Sequence, residues 1–130
     1  MTSLSRRRTA GRPPSVDREF WARREPDGSY VIGFTGAAQR RLGPVDFFQG
    51  PAPGRRYRAE EWALTVESEK CVRQLPLPAG GTVVESNPGV ESDPGEINRD
   101  PYGKGWVCRL RPWRTRAIES ATERVPRRLR

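Results

Sequence analysis

Histidine is missing altogether from this 130-residue sequence. That absence alone removes the serine–histidine and cysteine–histidine nucleophiles and every metal set that needs an imidazole. Two cysteines, Cys71 and Cys108, stand far apart without C-x-x-C spacing. Neither a metal site nor a redox dithiol is indicated, and free thiols suit a cytoplasmic protein. No stretch approaches the ~20 consecutive apolar residues that cross a bilayer. The cluster Arg6-Arg7-Arg8 runs into Thr-Ala-Gly-Arg-Pro-Pro and not into an apolar core, so no export signal is evident. A Walker-type glycine cradle is lacking too, since Gly103-Lys104-Gly105 has no Ser or Thr after its lysine. The paired carboxylates Glu60-Glu61 and Glu67/Glu69 sit in open polar sequence, and neighbours on a strand point to opposite faces. Most catalytic arrangements therefore find no support in these residues, and no catalytic residue is assigned.

Lysine is nearly as scarce: of 24 basic residues, 22 are Arg and only Lys70 and Lys104 are lysine. Arginine replaces lysine wherever a permanent positive charge is enough. It cannot do so where an amine must lose its proton and be acylated. Each lysine is therefore a candidate for amine chemistry, and position has to separate them.

The net charge of +8 is unevenly spread. Residues 1–18 hold five Arg against one Asp, and residues 111–130 seven Arg against two acids, while 19–110 come to −1. The basic ends could meet RNA, a membrane or an acidic protein, but solvated tails are the simpler reading, and neither a nucleic-acid nor a membrane partner is expected. Aromatics beside arginines (Tyr57 near Arg55, Arg56 and Arg58; Trp113 near Arg111 and Arg114) could form a single-strand groove. Core packing with snorkelling arginines is the preferred account.

Along the chain, residues 1–16 read as a flexible basic leader, 17–112 as the folded domain, and 113–130 as a basic C-terminal helix and tail. Short extended segments separated by turn residues give a mainly β fold, a small sandwich or barrel. Strands are expected at 20–24 and 29–34 around the turn Pro26-Asp27-Gly28. A brief helix follows, capped by Thr35 and closed by Gly43, then a strand at 45–49. Trp62, Leu64 and Val66 alternate with polar neighbours as a half-buried strand ending at Glu67-Ser68-Glu69-Lys70. The segment from Val72 through Pro76 and Pro78 has to lie on an edge, because proline donates no ladder hydrogen bond. Another strand covers 82–85, Asp93-Pro94-Gly95-Glu96 signals a helix start, residues 98–105 form a loop, and a last strand spans 106–110. The terminal helix, 115–125, is expected to bury Ile118, Ala121 and Val125. In this layout Lys70 stands at an exposed hairpin turn, a place where many lysines are merely solvated, whereas Lys104 sits in a glycine-rich loop.

Four ordered blocks then carry a resemblance. They are Val31-Ile32-Gly33-Phe34-Thr35 with Ala38-Gln39 and Leu42-Gly43; Val66-Glu67-Ser68-Glu69-Lys70; Pro78, Gly81, Val83-Val84-Glu85 and Asn87; and Asn98-Arg99-Asp100-Pro101-Tyr102-Gly103-Lys104-Gly105-Trp106. In this order the chain, over about residues 19–112, resembles the glycine cleavage system H proteins and related lipoyl carriers. The resemblance implies a lipoyl-domain or barrel-sandwich hybrid fold with a short helix after the second strand and a C-terminal helix. It implies that Lys70 carries lipoate in amide linkage, with Glu67, Ser68 and Glu69 read by the lipoylating enzyme, a lipoate-protein ligase or lipoyl synthase. The implied role is to shuttle an aminomethyl group between the glycine decarboxylase (P protein) and the aminomethyltransferase (T protein), with reoxidation by dihydrolipoyl dehydrogenase (L protein). A four-carbon stem adds reach, and acylation removes the charge that would hold the arm to nearby acids.

Some residues point elsewhere. Glu19-Phe20-Trp21 stands where those carriers have His-Glu-Trp, Cys71-Val72-Arg73 follows the lysine, and Pro76 and Pro78 are similar to lipoate-binding proteins of the sulfur-oxidising heterodisulfide reductase-like pathway. A third reading is a non-lipoylated basic module that binds nucleic acid or protein through its tails.

Overall fold

The computed structural model describes residues 18–125; the expected leader, 1–16, and the last residues, 126–130, lie outside the described part. The elements are β1 (Phe20–Arg24), β2 (Tyr30–Phe34), α1 (Gly36–Leu42), β3 (Val45–Gln49), β4 (Arg56–Tyr57), β5 (Trp62–Ser68) and β6 (Val72–Pro76). They continue with β7 (Gly81–Ser86), α2 (Pro88–Ser92), α3 (Glu96–Arg99), β8 (Cys108–Pro112), α4 (Thr115–Ala121) and β9 (Glu123–Arg124). No helix among the described residues is long and apolar enough to cross a membrane.

The strands build a six-stranded sheet, β4-β7-β8-β2-β1-β9, and a three-stranded sheet, β3-β5-β6. Period-two alternation explains why they share one core. Phe20, Ala22, Ile32, Phe34, Val83 and Leu110 come from the larger sheet and Phe48, Leu64, Val66 and Leu75 from the smaller, all buried in one cluster. Asp27 ties the first turn, its Oδ1 accepting from the amide and the hydroxyl of Ser29 at 2.9 and 2.6 Å. Thr35 caps α1 as expected, Oγ1 accepting from the Ala38 amide at 3.1 Å. Gly43 ends that helix at φ +76°, a conformation a side chain would strain. The proline-bearing β6 does lie at a sheet edge.

Several expectations change. Trp62 is 62% exposed, because a register irregularity between Trp62 and Leu64 breaks the alternation at the start of β5. The signal at residues 93–96 does precede a helix, α3, which begins at Glu96, but Gly95 takes its N-cap position and no side chain caps it. Asp93 closes the preceding helix α2 and its carboxylate is taken by Arg99 at 2.5 Å, while α2 itself is capped by Asn87, which accepts from the Gly89 amide at 3.0 Å. As α3 runs to Arg99, part of the expected 98–105 loop is helical. The last long strand is β8, two residues later than expected, although Val107 still donates to the Ile32 carbonyl at 2.7 Å.

The terminal helix stops at Ala121, where the Thr122 hydroxyl bonds back to the Ile118 carbonyl at 2.7 Å. Ile118 is fully buried, but Ala121 is exposed and Val125 half-buried, because the chain leaves the helix to pair β9 in parallel with the open edge of β1.

Candidate functional site

The β5–β6 hairpin pairs Thr65 with Gln74, Val66 with Arg73 and Glu67 with Val72, and the Ser68 amide closes it on the Cys71 carbonyl at 2.9 Å. Glu69 and Lys70 are exposed at the tip. Ser68 does more than turn the chain. Its hydroxyl donates to the Leu42 carbonyl at 2.6 Å and accepts from the Lys70 amide at 3.1 Å, so the tip is anchored to the end of α1. The stem of Lys70 lies across Gly43: a Cβ at Gly43 would sit 3.3 Å from Lys70 Cδ and 3.5 Å from Cε. A residue without a side chain therefore stands under the lysine, and the positive φ that closes α1 is the local reason for it.

A second brace fixes Gly43 itself. Asn98 Nδ2 donates to Gln39 Oε1 and to the Gly43 carbonyl, both at 2.9 Å, and its Oδ1 accepts from the Val45 amide at 2.8 Å. One side chain of α3 thus locks the α1-to-β3 turn on which the hairpin tip rests. The rest of the 98–106 block is also scaffold. Trp21 Nε1 donates to the Pro101 carbonyl at 2.9 Å, Tyr102 stacks on Trp21, and Asn87 Nδ2 donates to the Lys104 and Trp106 carbonyls. Lys104 is exposed, but it is its backbone that the fold uses: its amide also bonds Asp100 Oδ2 at 2.9 Å. The two lysines are thereby told apart, one on a braced projecting turn and one in a loop held for structural reasons.

Among the described residues Glu67 and Glu69 meet no cation, and no cluster of Cys, Asp and Glu could hold a metal ion. Glu67 faces Phe47 across one strand and Val72 across the other, and both of those apolar side chains are exposed. Cys71 is half-buried behind the tip. Cys108 is completely buried, and burial pushes its thiol up to about 12, which leaves it inert. Sequence reasoning found the tip residues but not their supports. Gly43 was legible as a helix end, while its place beneath Lys70 and the bracing role of Asn98 depend on contacts between segments remote in sequence.

Comparison with known proteins places this geometry in context. A family model described as glycine cleavage H-protein matches residues 15–125. A glycine cleavage system H protein of Alkalilimnicola ehrlichii is 45% identical over 92 residues, covering 71% of each chain. One from Bacteroides fragilis is 42% identical over 92 residues, covering 71% of this chain and 72% of the relative. The crystal structure of a glycine cleavage system H protein from Mycobacterium marinum is similar at a TM-score of 0.64 and 41% identity, covering 68% of this chain and 69% of that one.

Proposed function

The chain belongs to the glycine cleavage H-protein family, and from that premise we infer that it is the lipoyl carrier of a glycine cleavage system, with Lys70 as its attachment site. The observation that carries the assignment of Lys70 is its place: an exposed primary amine on a hairpin tip braced by Ser68, its stem passing over a glycine.

The residues present fit a covalent arm. No carboxylate among the described residues pairs with the Lys70 amine, so nothing has to be broken before it is acylated. Ser68 and Gly43 direct the stem, and the short exposed turn keeps the amine clear of the core. Glu67, Ser68 and Glu69 present the hairpin to the lipoylating enzyme, a lipoate-protein ligase or lipoyl synthase. When bound, the lipoyl group supplies the dithiol chemistry that the chain's own thiols do not, which agrees with an inert Cys108. The carrier adds no catalytic group. Its partners are the glycine decarboxylase, the aminomethyltransferase and dihydrolipoyl dehydrogenase, and its place is the cytoplasm. The named relatives favour this reading over the sulfur-oxidation and basic-module alternatives.

Intact-mass measurement after incubation with lipoate, ATP and a lipoate-protein ligase tests the assignment. Wild type and Lys104→Arg gain a single lipoyl increment, and Lys70→Arg gains none while melting at the wild-type temperature. An increment retained by Lys70→Arg would overturn the site.

A further inference from the structure

The described arginines are mostly spoken for by carboxylates. Arg23 pairs with Glu25, Arg55 with Glu61, Arg73 with Glu19, Arg99 with Asp93, Arg109 with Glu85, Arg111 with Asp27 and Arg124 with Glu119. Arg56, Arg58, Arg114 and Arg116 are exposed and meet no carboxylate among the described residues. Arg56 meets Trp113 in the fold, and the other three lie within three residues of one or the other along the chain. The Arg56 guanidinium lies over the half-exposed ring of Trp113, 5.1 Å from its centroid, and Trp113 is tied to β7 by its amide bond to the Gly80 carbonyl at 3.1 Å. Arg114 follows Trp113, Arg116 is in the first turn of α4, and Arg58 lies two residues beyond Arg56.

A guanidinium stacked on an indole keeps its N–H edge directed outward while the ring restrains its rotation. Such an edge suits the two oxygens of a carboxylate. One feature favours a short acidic polypeptide over nucleic acid: a base would need an open ring face, whereas Arg56 lies over Trp113 and Gly80 packs against the same ring, where a Cβ would come within 3.0 Å of it. The surface sits at the far end of β6 and its extension from Lys70, so a partner held there leaves the hairpin tip free.

We propose that Arg56, Trp113 and Arg114, flanked by Arg58 and Arg116, form a docking surface for an acidic segment of a partner protein. The surface does not depend on what Lys70 carries. The probe is a fluorescein-labelled ten-residue glutamate peptide, read by anisotropy against the full chain at low and physiological salt. Wild type binds it in a salt-sensitive manner. The pair Arg56→Glu/Arg114→Glu binds at least about tenfold more weakly at an unchanged melting temperature, since both side chains are exposed. Trp113→Ala weakens binding severalfold although no charge is lost, and neutralising Arg6, Arg7 and Arg8 to Gln leaves it within about twofold. Failure of wild type to bind, or loss of binding in the Gln triple with retention in the Glu pair, would overturn the proposal. So would tighter binding of a ten-residue uridine oligonucleotide through the same arginines.

Discussion

Ser68 satisfies the carbonyl of Leu42, the last residue of α1, with a 2.6 Å hydrogen bond. Terminal helix carbonyls have no partner within their helix, so this hydroxyl meets a need of α1 and anchors the hairpin at once. The exposed turn is therefore held by a helix end to which it has no sequence proximity.

Ser68→Ala is expected to cost about 1 kcal/mol, the net contribution of one such bond. Thermal melting reports this as a fall of about 4–8 °C. Lipoylation should slow beyond what the lower stability accounts for, because the Lys70 backbone loses its acceptor as well. Ser68→Thr, which keeps the hydroxyl, recovers most of both effects. A Ser68→Ala protein that melts and lipoylates like wild type would leave the latch without a role.

Asn98 makes three hydrogen bonds to the α1-to-β3 turn. Its replacement by Ala is expected to cost about 2–3 kcal/mol in urea denaturation. Asn98→Asp should be no better, although it preserves the acceptor for Val45, because it sets a carboxylate against the oxygens of Gln39 and Gly43. If Asp were tolerated while Ala was not, only the Val45 bond would matter.

Acid should loosen the first turn late. Hydrogen bonds from the Ser29 side chain and amide, with the Arg111 charge nearby, lower the Asp27 carboxyl from 3.8 to about 2. A depressed folded pKa gives stability that is fully present above the unfolded value and is lost as pH falls through the folded one. The Ser29 amide resonance should titrate with a midpoint near 2 and be silent in Asp27→Asn. A midpoint close to 3.8 would show that the Ser29 contacts do not hold the charge.

The two thiols should differ in reactivity. In native protein a water-soluble thiol reagent is expected to label half-buried Cys71 and to spare Cys108, which is buried and shifted to about 12. In denaturant both react. Native labelling of Cys108 at a rate similar to Cys71 would mean that the core opens far more readily than its packing implies.

Local rules made much of the site legible. Alternation over Leu64 and Val66 and the polar run after them placed Lys70 at a turn, and Thr35 and Gly43 bounded α1. They failed where tertiary pairing competed. The periodicity of Ile118, Ala121 and Val125 described a longer helix, yet the open edge of β1 offered ladder bonds, and Val125 donates to the Ala22 carbonyl at 3.0 Å instead. Asp93-Pro94-Gly95-Glu96 does lead into α3, but Arg99 claimed the Asp93 carboxylate that was expected to cap it, and the separate helix α2, capped by Asn87, was not foreseen. The contact between Gly43 and Lys70 had no local signal, since it joins two segments brought together only by the core.

The parallel pairing of β9 with β1 also sets an order of events. Trp21 and Ala22 find their partners, Glu123 and Arg124, only at the opposite end of the described chain. During synthesis the edge of β1 would therefore stay exposed until residues 123–124 have emerged, and contacts of such long sequence separation form slowly. Until then the strand is open to pairing with another nascent chain. The same closure joins the first and last described strands, so the larger sheet is complete only when both are in place.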